Sequence, residues 1–92
     1  MATLHEGLNN LLQGELSAIE TYDMALEKIK TPATAEILSS CRSCHANRAA
    51  ELTQAVRSLG AEPATTSGPW GSFAKLVEAG ARYWEKDRRL AR

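Results

Sequence analysis

The sequence predicts an all-α fold in one domain, built as a long antiparallel helical hairpin plus a third helix. Apolar residues recur at steps of three and four in three separate stretches, which is the spacing of one face of a helix. A hydroxyl residue or a proline stands at the start of each stretch, and no stretch alternates as a strand does. The 92 residues are enough for one domain, and a content of 43% hydrophobic and 24% charged residues is typical of a folded protein.

The first helix is predicted over about residues 4–30. Thr3 and Glu6 have the spacing of a capping box, in which a hydroxyl and a carboxylate three residues apart close the first turn. Glu15 is the anomaly of the apolar face, because burying an unpaired charge is costly. It therefore needs a partner: a metal, a histidine, an arginine or a proton. The predicted face comprises Leu8, Leu12, Glu15, Ile19, Tyr22, Leu26 and Ile29.

The second helix is predicted over about residues 32–59. Thr31 is its expected N-cap, Pro32 fits the first helical position, and Gly60 is the expected C-terminal cap. The joint between the two helices is short, so we expect them to be antiparallel, with Glu15 facing about residue 48. The predicted apolar face comprises Leu38, Cys41, His45, Ala49, Leu52, Val56 and Leu59.

The third helix is predicted over about residues 69–90, after a linker at residues 61–69 (AEPATTSGP). Its apolar face carries Trp70, Phe73, Val77, Gly80 and Trp84, so most aromatic residues of the chain lie near the C-terminus. Three helices cannot easily hide all of these rings, and a hairpin with one short helix leaves an apolar face uncovered. We therefore expect a homodimer or a higher homo-oligomer.

Three segments of the chain carry a family resemblance. Residues 11–22 (LLQGELSAIETY), His45 with residues 59–63 (LGAEP), and residues 68–71 (GPWG) are similar to the first helix, the second helix with its exit, and the start of the third helix of one pattern. That pattern resembles the ferritin-like superfamily, and most closely the small bacterial ferritin-like family of unknown function. The resemblance covers about residues 4–80. It implies a truncated ferritin-like bundle with a loose link to stress physiology.

The resemblance implies that Glu15 corresponds to a di-iron ligand, but the rest of that ligand set is incomplete in this chain. The pattern requires Glu-x-x-His on the second helix, where this chain has Arg42 and His45, and an arginine cannot ligate a cation. For the carboxylate required on the third helix, Glu78 is the nearest candidate, and it lies beside the predicted apolar face. No fourth helix with a second Glu-x-x-His follows. A di-iron oxidase is therefore the weakest functional hypothesis.

Glu15 and His45 are expected at the same level of the bundle, and two interpretations remain open. They form a buried polar pair, with Arg48 joining it, or they are metal ligands. Carboxylate and imidazole suit iron or zinc, but two ligands are too few for a site. Two hairpins related by a two-fold axis would pool Glu15 and His45 into a four-ligand set.

Residues 41–45 (CRSCH) match the C-x-x-C-H string of haem c attachment. We do not expect haem c, because the string lies inside a predicted helix and no export signal precedes it. A thioredoxin-type motif would require a strand-to-helix junction. Cys41, Cys44 and His45 share one side of the helix and could bind a soft metal. Otherwise the two cysteines are small, partly apolar core residues.

Composition argues against several function classes. The formal net charge of zero gives no electrostatic footprint for nucleic acid, and no apolar run is long enough to span a membrane. The N-terminus lacks the pattern of a signal peptide, which favours the cytoplasm and reduced thiols. The sequence thus predicts a self-associating helical bundle that is not an enzyme, with a metal-binding protein as the alternative.

Overall fold

The computed structural model describes residues 3–69, and within this range the chain forms two α-helices and no strand. Helix α1 spans Leu4–Lys28 and helix α2 spans Pro32–Ser58. The sequence prediction of an all-helical fold is confirmed for these residues, with each helix within two residues of its predicted bounds. The third predicted helix, with its aromatic residues and Glu78, lies outside the described residues.

The predicted capping box closes the start of α1. The backbone N–H of Glu6 donates to the hydroxyl of Thr3, and the Glu6 carboxylate accepts from the Thr3 N–H. At the other end of the helix, the N–H of Ile29 still donates to the carbonyl of Ala25, but Ile29 itself has an extended backbone. The helix therefore ends slightly earlier than predicted, because the chain must reverse direction before Pro32.

Helix α2 begins and ends where the sequence predicts. Thr31 is the N-cap and Pro32 occupies the first turn, but the Thr31 hydroxyl makes no capping hydrogen bond, so this detail of the prediction is wrong. Proline has no N–H, which leaves one donor fewer to satisfy at this end. After the helix, Gly60 has a φ of 75° and its N–H donates to Arg57, while the N–H of Ala61 donates to Val56. This is a Schellman cap, which requires glycine's freedom at positive φ.

Helices α1 and α2 pack against each other in opposite directions. Asp23 pairs with Arg42 close to the joint, and Glu15 pairs with Arg48 further from it. The fully buried apolar interior of the described residues is small and consists of Leu12, Ala49 and Val56. Most other residues of the two predicted apolar faces are half-buried. One exception is Leu59, whose side chain is exposed although the spacing places it in the predicted face of the second helix.

The segment after α2, residues 61–69, folds back along one side of α1; we call it the return segment. The Asn9 amide donates from Nδ2 to the carbonyl of Glu62 and accepts at Oδ1 from the N–H of Ala64, at 3.0 and 2.8 Å. Further along, the buried Ser67 donates its hydroxyl hydrogen to a carboxylate oxygen of Glu20. The sequence pattern indicates only a linker here, so this packing is a finding of the structure.

Gly68 is constrained twice by its place in the return segment. Its φ is 58°, and a Cβ atom added there would lie 2.6 Å from the amide nitrogen of the Gln13 side chain. The return segment therefore lies close against α1 at Gln13. Within residues 3–69, no helix combines the length and the apolar character that crossing a bilayer requires.

Candidate functional site

The most distinctive chemistry of the described residues lies midway along the α1–α2 interface. There Glu15 of α1 contacts two side chains of α2. Its Oε2 is 2.6 Å from Nδ1 of His45, and its Oε1 is 3.1 Å from Nε of Arg48. Glu15 and His45 are mostly buried, with side chains 19% and 24% exposed, whereas the Arg48 side chain is 52% exposed. We call these three residues the polar cluster.

The distances assign the proton that joins Glu15 to His45. Nitrogen and oxygen 2.6 Å apart need a hydrogen between them, and an ionised carboxylate has none to give. The proton is therefore on Nδ1 of His45, which donates to Glu15. Nη2 of Arg48 also lies 2.9 Å from this Nδ1, but a nitrogen that is donating its proton cannot accept a second one. The Glu15 carboxylate is thus the common acceptor of both bonds.

The pKa of Glu15 reflects two opposing effects. Burial disfavours the charged carboxylate and raises the pKa, while hydrogen bonds from His45 and Arg48, together with their charges, lower it. The second group of effects wins, and the pKa of Glu15 lies below its ordinary value of 4.5. Glu15 is therefore ionised at neutral pH.

Tyr22 of α1 lies beside the polar cluster and near the cysteines of α2. Its ring centroid is 5.4 Å from that of His45, with the planes tilted by 32°. Burial is the main effect that raises the pKa of Tyr22, and the nearby Cys41 and Cys44 side chains raise it further, so the phenol keeps its proton.

A second ion pair lies nearer the joint, where Arg42 donates from Nε and Nη2 to both carboxylate oxygens of Asp23. Arg42 occupies the position where the ferritin-like resemblance expects a glutamate ligand. The hydrogen bond and the charge of Asp23 raise the pKa of Arg42. The arginine is therefore paired with a carboxylate of α1 across the helix interface.

The structure brings some of the predicted site residues into contact and leaves others apart. Glu15 and His45 are in contact, as their expected level in the bundle indicates, and Arg48 joins them. Cys41 is half-buried beside Tyr22, whereas Cys44 is exposed, and the two cysteines are not joined in a disulfide. Among residues 3–69, no three His, Cys, Asp or Glu side chains converge as a metal-binding group. Metal binding by these residues stays a prediction.

Sequence reasoning missed two features of this region. The Asp23–Arg42 pair follows from the same register as the Glu15–Arg48 pair, because the residue numbers of each pair add to nearly the same value. Pairing arithmetic along the two helices could have found it. The link from Tyr22 to both His45 and Cys41 had a weaker signal, since it depends on side-chain direction as well as on level.

Comparison with known proteins identifies a family but no function. A family model described as "Domain of unknown function (DUF2383)" matches residues 3–78 of the chain. No curated protein and no solved structure matches it.

Proposed function

We propose that this chain, which belongs to the DUF2383 family, is a non-enzymatic helical protein that associates with copies of itself. The observation that carries the proposal is a set of large apolar side chains left in solvent. They are Leu4, Leu11, Ile37 and Leu59, with exposed fractions of 68%, 61%, 64% and 47%. Burying such side chains is the main favourable contribution to association between proteins.

These exposed side chains lie on the same side of the helix pair as the Glu15–Arg48 ion pair. Leu4 precedes Glu15 by eleven residues, and Ile37 and Leu59 stand eleven residues before and after Arg48. Eleven residues make three helical turns, which returns a side chain to nearly the same direction. The open face, as we name it, comprises Leu4, Leu11, Glu15, Ile37, Arg48 and Leu59.

The opposite side of α1 carries the return segment, whose contacts use Asn9, Gln13 and Glu20. The open face is therefore the side of α1 that residues 3–69 leave uncovered, and we propose that a second copy of the chain covers it. Two copies joined through it would bring together four helices, the number in the bundle that the ferritin-like resemblance implies. A physiological role in the stress response is suggested only by the ferritin-like resemblance.

The polar cluster supports a structural role better than a catalytic one. Both oxygens of Glu15 accept hydrogen bonds, and its lowered pKa makes the carboxylate a weak base. Arg48, half in solvent at the centre of the open face, leaves a polar contact for a partner. The cluster thus stabilises the helix pair and marks the middle of the proposed interface.

Light scattering after size exclusion tests this proposal, because one chain has a mass of 10.0 kDa. We expect the wild type at micromolar concentration to have twice that mass or a higher multiple. Ile37→Glu places a charge on the open face and should shift the protein toward the monomer. Ala50→Glu adds the same charge at an exposed position on the other side of α2 and should leave the mass unchanged. A wild type that stays monomeric would refute the proposal.

Metal binding through Glu15 and His45 is the second candidate, favoured by the place of both side chains at one level of the helix pair; their hydrogen bond would have to open for both to bind one ion. In that case, two copies would pool both residues into a four-ligand site for iron or zinc. A chelator should then lower the melting temperature of the wild type and have no further effect on Glu15→Gln. If the cluster is only structural, the chelator leaves both melting temperatures unchanged.

A further inference from the structure

Cys41 and His45 form a pair of potential ligands that the proposed self-association does not use. They are four residues apart on α2, so their side chains are neighbours on one side of the helix. The ring of Tyr22 lies 5.4 Å from that of His45, and the Cys41 side chain is near enough to Tyr22 to influence its pKa. The Cys41 thiol and the His45 imidazole therefore both lie near Tyr22 of α1.

The bond to Glu15 determines which imidazole nitrogen is available. Nδ1 of His45 faces Glu15 and carries the proton donated to it, so Nε2 is the ring nitrogen that points away from the carboxylate. In a neutral imidazole with its proton on Nδ1, Nε2 holds the lone pair that a metal binds. A histidine tied to a carboxylate by one nitrogen, with the other nitrogen unprotonated, has the arrangement found in metal-binding histidines. Glu15 would fix the orientation of the ring and raise its basicity without touching the metal.

The contact between Glu15 and His45 is too short for both to be ligands of one ion in this arrangement. Two ligands about 2.0–2.1 Å from a tetrahedral zinc ion lie roughly 3.3 Å apart. The observed separation of 2.6 Å is instead a hydrogen-bond distance. The geometry therefore favours a ligand pair made by His45 and Cys41 over one made by His45 and Glu15.

We propose that Cys41 Sγ and His45 Nε2 bind a zinc-type divalent ion, completed to a Cys₂His₂ tetrahedral set by the same two residues of a second copy. This inference rests on the proposed self-association, since one chain supplies only two of the four ligands that such an ion takes. Ile37, one turn before Cys41, is exposed, so a partner that covers Ile37 also lies close to the thiol.

The chemistry of the surroundings suits a bound thiolate. Each Cys41 thiol releases its proton to solvent as the metal–sulfur bond forms. Tyr22, whose ring lies against His45, carries a hydroxyl group, which is a donor suited to a thiolate sulfur. Cys44 is exposed, and it forms no three-residue metal-binding group with Cys41 and His45 among the described residues. It therefore provides a matched control.

Titration of the full chain with Co²⁺ under reducing conditions tests the site. We expect the absorption of a tetrahedral thiolate complex, saturating at one Co²⁺ per two chains and displaced by Zn²⁺. Cys41→Ser should abolish the thiolate-to-cobalt band, and Cys44→Ser should leave it unchanged. Glu15→Gln should keep the band but weaken affinity by about 10–100-fold, as expected for a positioning residue. A band that survives in Cys41→Ser, or is lost in Cys44→Ser, would overturn the assignment.

A second measurement does not depend on how well the variants fold. In the wild type, Zn²⁺ should slow alkylation of Cys41, read by mass spectrometry of peptides, while the alkylation rate of Cys44 should not change with Zn²⁺. Equal reactivity of Cys41 with and without Zn²⁺ would count against the site.

The mass of the protein, measured with chelator and with Co²⁺, separates this inference from the proposed function. A dimer in chelator that shows no cobalt band refutes the metal site and leaves self-association standing. A monomer under both conditions without a band refutes both. A monomer that binds one Co²⁺ per chain overturns the shared site.

Discussion

Replacing Glu15 by glutamine tests the central interaction of the helix pair. The substitution removes the charge of the carboxylate and keeps its size, so any loss of stability reports on the polar cluster and not on packing. Glutamine retains a carbonyl oxygen that can accept the proton of His45. It cannot, however, match a charged acceptor for both His45 and Arg48. We therefore expect the variant to fold and to be less stable than the wild type.

The size of the loss follows from the exposure of each partner. Arg48 is half in solvent, so its ion pair with Glu15 contributes less than about 1 kcal/mol. The bond to His45 joins two mostly buried groups, and a hydrogen bond to a charged group contributes about 1.5–3 kcal/mol. Because glutamine recovers part of that bond, the free energy of unfolding should fall by about 1–3 kcal/mol in total.

The loss should depend on pH in one direction. The pKa of Glu15 in the folded chain lies below its ordinary value of 4.5, so the ionised carboxylate favours folding. The contribution is fully present above about pH 4.5 and is lost as the pH falls through the lower folded value. The stability difference between the wild type and Glu15→Gln should therefore be greatest near neutral pH and shrink in acid.

Urea denaturation followed by far-UV circular dichroism measures this difference, at one fixed protein concentration because association couples to folding. Asp23→Asn is the matched control, since it makes the same chemical change in the solvent-exposed pair with Arg42. It should leave the denaturation midpoint unchanged. Equal midpoints for the wild type and Glu15→Gln at neutral pH would refute the reasoning, as would a difference that persists in acid.

Two further predictions concern the return segment and the Gly60 cap before it. Gly60→Ala should cost about 1 kcal/mol, because its φ is positive. Gly68→Ala should cost more, because its φ is also positive and its Cβ would meet Gln13. That excess should disappear in a Gln13→Ala background; an equal cost for the two glycines would contradict the close approach. Asn9→Ala should lose about 1–2 kcal/mol and speed hydrogen exchange at the Ala64 amide, and unchanged exchange would show that Asn9 does not hold the segment.

The helices and their ends could be predicted because the signals are local. The Thr3–Glu6 capping box and the Gly60 cap depend on residues within one or two turns, and both are present. The level of Glu15 relative to His45 was also predictable, since a short joint and a constant rise per residue determine which positions face each other. The family match to residues 3–78 extends across both helices.

The return segment and the shape of the interior could not be predicted in the same way. The contact of Asn9 with Glu62 and Ala64 joins residues more than fifty positions apart, and no periodicity connects them. Composition alone presents residues 61–69 as a linker. The exposure of Leu59 likewise depends on what covers the open face, which the spacing of apolar residues in one helix does not specify.

The polar cluster explains how two helices with regular apolar faces select one alignment. Apolar residues at steps of three and four would still meet if α2 slid by one turn, about 5.4 Å along the axis. That slide would take Glu15 out of hydrogen-bond reach of His45 and Arg48 and leave a carboxylate uncompensated at the interface. It would also separate Asp23 from Arg42, although that exposed pair can be hydrated at little cost. Glu15 is therefore the residue that makes the shifted alignment of α1 and α2 less stable. Its hydrogen bond to His45 also fixes the orientation of the imidazole, one turn from Cys41 on α2.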